Sequence, residues 1–144
     1  MGNKRPESVL VVIYSVQEQR VLMLQRNDDA LFWQSVTGSL EADETPYMTA
    51  CREVKEETGI DIRREKLRLI DTGKTVCFEI FPQFRHRYGA GITHNREHQF
   101  YLPLPTMREV ILSEHSAYRW LTQEEAARLT KSWNNRDAIE QIVW

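Results

Sequence analysis

Six carboxylates fall within the 23 residues from Gly38 to Ile60, GSLEADETPYMTACREVKEETGI. Three of them, Glu53, Glu56 and Glu57, stand at spacings that share one face of a helix. On a solvated helix a like-charge pair at i,i+4 costs about 0.2–0.5 kcal/mol, and the cost grows if the face is buried. Something positive must therefore sit among them. A hard divalent cation is the natural occupant, because Mg²⁺ takes oxygen ligands and is held by a few carboxylates together with substrate phosphates.

The punctuation around these carboxylates predicts a helix over 46–58. Thr45 is placed to cap its N-terminus, Pro46 suits the first helical position, and Gly59 suits a left-handed stop. The face away from the acids carries Tyr47, Ala50, Cys51 and Val54, an apolar stripe able to dock on a sheet. Arg52 lies one turn before Glu56 and can hold it from the side. Gly38 begins a loop that must bend back against the helix. Glu44 precedes the helix within reach of the same ion.

Around this helix the chain alternates strands and turns. Ser8–Tyr14 is nearly all apolar and reads as a strand buried on both faces. A polar turn at 17–20 joins it to Val21–Gln25 in a hairpin, and Ser35–Thr37 is a short strand. After the helix, 67–70 and 74–81 read as two strands separated by Thr72-Gly73, with Val76, Phe78 and Ile80 on one face and Cys77, Glu79 and Phe81 on the other. Further strands are expected at 97–104, where Pro103 marks an edge or end, at 109–112 and at 118–121. Thr122 and Glu125 form a capping box for a helix over 123–129, and Ser132 caps a last helix over 133–143 that packs Ile139, Ile142 and Val143. Strands on both sides of one acidic helix, with a helical unit at the end, argue for α/β layers in a single domain over 1–144.

Composition narrows the partners. A formal net charge of −2 offers no global attraction to nucleic acid. Cys51 and Cys77 make neither a disulfide framework nor a zinc pattern and read as small core residues. No signal peptide or membrane-length apolar run is expected, so the chain reads as a cytoplasmic protein. Phe32 and Trp33 read as core anchors, or as faces on which a ligand stacks. His86, His94 and His98 form no metal-ligand spacing.

Written as a pattern, the acidic stretch is Gly38, five residues, Glu44, seven residues, Arg52-Glu53-Val54, one residue, Glu56-Glu57, one residue, Gly59-Ile60. It resembles the signature of the Nudix hydrolases at all nine specified positions. That resemblance implies an α/β/α sandwich with a mixed β-sheet. It also implies Mg²⁺-assisted hydrolysis of a diphosphate linkage, with Mn²⁺ as a substitute ion. Glu53 and Glu57 become the expected metal ligands, with Glu56 next and Arg52 orienting it. Gly38 is expected to supply the bend and a backbone carbonyl ligand. A base or further ligand from outside the helix is expected at Glu114, with His115 beside it as the weaker candidate.

Stretches outside the motif extend the resemblance to the folate-pathway branch of the family. They include Lys4-Arg5-Pro6, Val21–Arg26, Phe32–Ser39, Phe78–Phe81, Arg85–Tyr88, Glu114-His115 and Leu129–Trp133 with Asn135-Arg136. This implies a small-molecule triphosphate substrate, 7,8-dihydroneopterin 3′-triphosphate, cleaved to the monophosphate and pyrophosphate. Lys4 and Arg26 are then expected at the triphosphate. Thr37 and Ser132 are expected as hydroxyl donors, and Phe78, Glu79, Ile80 and Phe81 as ring contacts. Arg85, His86 and Arg87 are placed at the pocket mouth or the phosphates. The alternatives are a MutT-like dNTP hydrolase and a Nudix-fold binding protein without catalysis; the intact Arg52, Glu53, Glu56 and Glu57 argue against the latter. ADP-ribose and NADH hydrolases tend to carry a proline soon after the motif, and none stands between Gly59 and Phe81.

Overall fold

The structure is a computed structural model and describes residues 3–144. Seven strands form one mixed sheet. They are β1 (Glu7–Ser15), β2 (Arg20–Arg26), β3 (Trp33–Gln34), β4 (Val36–Ser39), β5 (Ile70–Glu79), β6 (His94–Leu104) and β7 (His115–Leu121). The main path runs β3-β2-β1-β6-β5, with β4 beside β1 and β7 beside β2. β1 pairs with β6 in parallel from Glu7–Arg96 to Ser15–Leu104, and the other pairings among these strands are antiparallel.

β1 is buried on both faces, as its unbroken apolar run requires. Val9, Val11 and Ile13 face one side, where Phe100, Leu102 and Leu104 of β6 join them against Ala50 and Val54 of α1 (Pro46–Thr58). Leu10, Val12 and Tyr14 face the other side. There they meet Ala126 and Ala127 of α2 (Gln123–Leu129) and Ala138 and Ile139 of α3 (Trp133–Glu140). The result is a helix, sheet, helices sandwich, the expected α/β/α layering.

The hairpin of β1 and β2 does not run its full length. Only Tyr14 pairs with Val21 and Ser15 with Arg20. Beyond that, β4 takes the place of β2, pairing Ser39, Gly38, Thr37 and Val36 with Ser8, Val9, Leu10 and Val11. β2 meanwhile continues against β7. The sheet therefore splits at the start of β1, and the split leaves a cleft between the two halves.

α1 matches the sequence reading end to end. The Thr45 hydroxyl accepts the Met48 N–H at 3.2 Å, Pro46 opens the helix, and Gly59 at φ 78° donates its N–H to the Lys55 carbonyl at 2.9 Å. The capping box of α2 and the Ser132 cap of α3 are also formed.

Several expectations fail. The two strands at 67–70 and 74–81 are one strand, β5, which crosses Thr72-Gly73 without turning. Between Asp71 and Thr75 it takes four steps against two along β6, from Phe100 to His98. Side chains hold this bulge: Asp71 accepts the Gly73 N–H at 2.9 Å, and the Thr72 hydroxyl donates to the Gln99 carbonyl at 2.8 Å. Gly73 at φ 72° absorbs the local distortion. Residues 109–112 form no strand, because the Ile111 N–H donates instead to the Thr58 carbonyl at the end of α1. α3 stops at Glu140, leaving Val143 exposed. Cys77 is exposed and Tyr47 is 41% exposed, so neither belongs to the core, whereas Cys51 packs partly against it. Pro103, by contrast, does mark an edge and an end: it lies one residue before the end of β6, where pairing with β5 has already stopped at Tyr101.

Candidate active site

The cleft where the sheet splits is a cavity of about 430 Å³, a size suited to a ring with a phosphate chain. α1 supplies one end of it. Glu53 and Glu57 project from successive turns against β4, and both line the cavity. Burial raises the pKa of each carboxyl. Glu57, 6% exposed, is raised well above the usual range, with the charges of Glu53 and Glu114 adding to the effect. The two carboxyls stand against each other, and Glu53 makes Glu57 harder to ionise. The Glu57 Oε1 atom is buried without a hydrogen-bond partner among the described residues, and the His115 Nε2 lies 3.7 Å from it.

Gly38 is a strand residue, not a bend. It lies inside β4 opposite Val9. Its lack of a side chain has a different cause: a Cβ there would fall 1.8 Å from the Glu53 Oε2. The glycine is the seat on which the Glu53 carboxylate rests.

Arg52 does hold Glu56, at 3.3 Å, but its main partner is Glu44. Its Nε and Nη2 donate to the two Glu44 oxygens at 2.7 and 3.0 Å, a bidentate pair, and Nη2 also donates to the Ser39 carbonyl. Glu44 accepts further from the Thr49 hydroxyl and the Glu41 N–H, and the Arg52 pairing lowers its pKa to about 2. Glu44 is thus an anchor for Arg52 and does not line the cavity. Glu56 stands at the rim, with its side chain 55% exposed and outside the cavity lining.

Cations face the carboxylate pair. Arg26 lines the cavity with its guanidinium 4.2 Å from the Phe84 ring centre, fixed by two 2.7 Å hydrogen bonds to Asp28. Arg87 reaches the same Asp28 at 2.8 Å. Lys4 is exposed by area yet flanked by protein. Partial desolvation, then the charges of Arg87 and Arg26, lower its pKa, while Glu53 and Glu57 pull it back up. No carboxylate pairs with Lys4 among the described residues.

The rest of the cavity lining is aromatic and polar. Phe32, Phe81 and Phe84 pack edge to face at 5.3–6.3 Å between centroids, and Phe78 and Ile80 join them on the wall. β5 ends at Glu79, so the chain turns and Phe81 comes round to the Phe78 side instead of the opposite face. Glu79 points away, pairing with Arg85 at 3.3 Å. Of the remaining expected contacts, Ser132 lines the cavity. Thr37 lines it too, but its hydroxyl donates to the Val9 carbonyl at 2.9 Å. Glu114 lines the cavity and is exposed. His86 is not part of the lining.

Sequence reasoning missed a buried polar floor. It consists of Asn95 and Glu97 from β6 with Asn134 and Asn135 from the first turn of α3. The signal was faint: residues 95–99 are polar throughout, so nothing separates the buried Asn95 and Glu97 from their neighbours in a strand that is apolar from Phe100 onward.

Comparison with known proteins matches this arrangement. The NUDIX domain profile covers residues 4–142. The dihydroneopterin triphosphate diphosphatase of Escherichia coli K12 is 59% identical over 140 residues, 97% of this chain and 93% of that protein. The protein of the same name from Haemophilus influenzae is 46% identical over 144 residues, covering 100% and 91%. The solved E. coli dihydroneopterin triphosphate pyrophosphohydrolase superposes with a TM-score of 0.97 at 57% identity, covering 99% of this chain and 98% of that one. A NUDIX hydrolase structure from Listeria monocytogenes gives 0.76 at 28% identity, covering 95% and 91%. With the motif carboxylates, their glycine seat and the sandwich in place, this chain belongs to the Nudix hydrolase family.

Proposed function

We propose that this enzyme hydrolyses 7,8-dihydroneopterin 3′-triphosphate to dihydroneopterin monophosphate and pyrophosphate, a folate-pathway step. One observation carries the reading: a single cavity is lined by the Glu53–Glu57 pair, by three cations, by an aromatic wall and by a polar floor. A flat, polar heterocycle on a triphosphate matches this lining. The relatives that carry this activity in their names are 59% and 46% identical, and the NUDIX match over 4–142 supports a single domain.

The residues present fit a divalent cation, for which we propose Mg²⁺ with Mn²⁺ as a substitute. The fit rests on the crowding of the part-buried Glu53 carboxyl with the buried Glu57, an orphaned Glu57 oxygen and a glycine cradle under Glu53. Among the described residues no three side chains converge on one ready-made metal position. This agrees with an ion bound through one or two carboxylates and completed by phosphate and water. Glu53 and Glu57 would hold it, with the Gly38 carbonyl and Glu114 as further ligands and Glu56 at the rim. When bound, the ion neutralises phosphate charge and lowers the pKa of a coordinated water.

The chain's own groups do the rest. Lys4, Arg26 and Arg87 bind and orient the triphosphate. Arg52, clamped by Glu44, fixes the turn of α1 that carries Glu53 and Glu56. Glu114 serves either as that further ligand or as the base that accepts the proton of the attacking water, with His115 beside it. Phe78, Ile80, Phe81 and Ser132 border the ring end. Two free thiols support a reducing, cytoplasmic setting.

The test is pyrophosphate release, with and without Mg²⁺, from dihydroneopterin triphosphate beside dATP, dGTP, ADP-ribose and NADH. The expected result is metal-dependent release with the pterin triphosphate highest in kcat/KM. A higher value for a dNTP would make the enzyme a nucleotide-pool hydrolase, and no turnover of any compound would favour the binding-protein reading.

A further inference from the structure

The polar floor of the cavity contains a carboxylate that the hydrolysis does not use. Glu97 is 2% exposed and no cation lies within ion-pair distance of it among the described residues. Its partners are neutral amides. The Asn134 Nδ2 donates to both carboxylate oxygens at 2.9 and 3.0 Å, and the Gln99 Nε2 donates to Oε1 at 3.2 Å. The Ser132 hydroxyl hydrogen-bonds the Asn134 Oδ1, which fixes that amide with its nitrogen toward Glu97. Burying a carboxyl with only amide support is costly unless a further donor completes it.

The sheet register shows where that donor would come from. Glu97 lies beside Ser8 of β1 and Val76 of β5, and the next row on the same face pairs Asn95 with Phe78. The Asn95 Nδ2 donates to the Ser8 hydroxyl at 2.6 Å, which leaves its Oδ1 buried and unpartnered among the described residues. Two acceptors thus stand two residues apart on β6, both in the cavity lining, with the Phe78 ring alongside.

We infer that Glu97, with the Asn95 carbonyl, is the specificity-determining floor of the pocket, reading a ring edge that presents an amino group beside a ring N–H. A 2-amino-4-oxo heterocycle has this edge, whether pterin or guanine. Adenine sets its amino group beside a ring acceptor, whose lone pair would face a carboxylate oxygen. The pairing is a two-point, charge-assisted one, and the discrimination comes from leaving a buried acceptor unpaired with the wrong ring. Asn134 and Gln99 are positioning residues that hold the carboxylate, while Asn135, whose amide is fully engaged by Ser35, ties α3 to the β3–β4 connection.

This inference rests on the proposed substrate, and the test separates the two. kcat/KM is measured for dihydroneopterin triphosphate, dGTP and dATP with the wild type and Glu97→Gln, with thermal melting to check folding. The expected result is a fall of ~10–100-fold in the ratio of pterin to adenine substrate, and of guanine to adenine substrate, the scale of one hydrogen bond to a charged group. An equal change for all three substrates would overturn the floor assignment while leaving the substrate reading intact. A wild type inactive on dihydroneopterin triphosphate would end the substrate reading, and dGTP against dATP would then decide the floor alone. Should Glu97→Gln not fold, inhibition of the wild type decides. Neopterin and guanosine, both without phosphates, are expected to inhibit at ~10-fold or more below the concentration of adenosine; equal potencies would refute the inference.

Discussion

Gly38→Ala tests the placement of the Glu53 carboxylate, proposed above as a metal ligand, with the smallest possible addition. A Cβ at this position would lie 1.8 Å from the Glu53 Oε2, 2.1 Å from its Cδ and 2.5 Å from its Cγ. A Cβ essentially never lies within 3.0 Å of a nonbonded heavy atom, so the Oε2 must retreat by at least ~1.2 Å. The backbone has no reason to resist, because Gly38 is a strand residue outside the left-handed region. The Glu53 side chain is the part that moves, and it is pinned between Arg52 and Glu57. A displacement of about 1 Å in a catalytic constellation costs on the order of 10²-fold in rate. The expected outcome is a loss of ~10²-fold or more in kcat/KM, with the thermal midpoint within a few degrees of wild type. Pyrophosphate release at saturating Mg²⁺ measures the first and a melting curve the second. Near-wild-type turnover would refute the assignment of Glu53 as a metal ligand at this site. A collapse in stability would show instead that the glycine serves the fold.

Three further outcomes are expected. Glu57→Gln keeps the shape of α1 and removes a charge from the pair, so turnover should fall by ~10²–10³-fold or more with the fold intact; normal turnover with normal Mg²⁺ dependence would remove Glu57 from the metal site. Glu44 has its carboxyl lowered from 4.5 to about 2, mainly by the Arg52 hydrogen bonds. Its contribution to stability is therefore fully present above pH 4.5 and is lost as pH falls through about 2. The stability gap between wild type and Glu44→Gln in urea titrations should be constant from pH 7 to about 5 and narrow toward pH 2, and a gap independent of pH would disprove the pairing. Gly59→Ala places a side chain at φ 78° with its Cβ 3.2 Å from the Ile111 Cβ, which should destabilise by about 1–2 kcal/mol in equilibrium unfolding; an unchanged midpoint would mean that this helix end relaxes freely.

The span of α1 was legible because every signal that bounds it is local: Thr45, Pro46 and Gly59 lie within one short segment, although Tyr47, read as part of the docking face, is exposed. The same locality exposed the capping box of α2. What was not legible depends on partners far away in sequence. Thr72-Gly73 looks like a turn until the Gln99 carbonyl is available to receive the Thr72 hydroxyl. Glu97 looks like one more surface carboxylate until α3 brings Asn134 onto it. Gly38 shows the limit most clearly. Its necessity was visible in the motif, but the reason was misassigned to a bend, because the collision with Glu53 exists only once α1 has docked on β4.

The departure of β1 from β2 after two residue pairs has a consequence for how such a site can change. The carboxylate pair hangs from α1, on the face of the sheet shared with Val9 and Val11. The polar floor belongs to the opposite face, where Ser8 and Leu10 look toward α3. One cleft joins two layers that are otherwise separated by the thickness of a strand. Substitutions under α3 can alter which ring is admitted without disturbing the hydrolytic machinery above, so this architecture lets substrate choice drift while the reaction stays fixed.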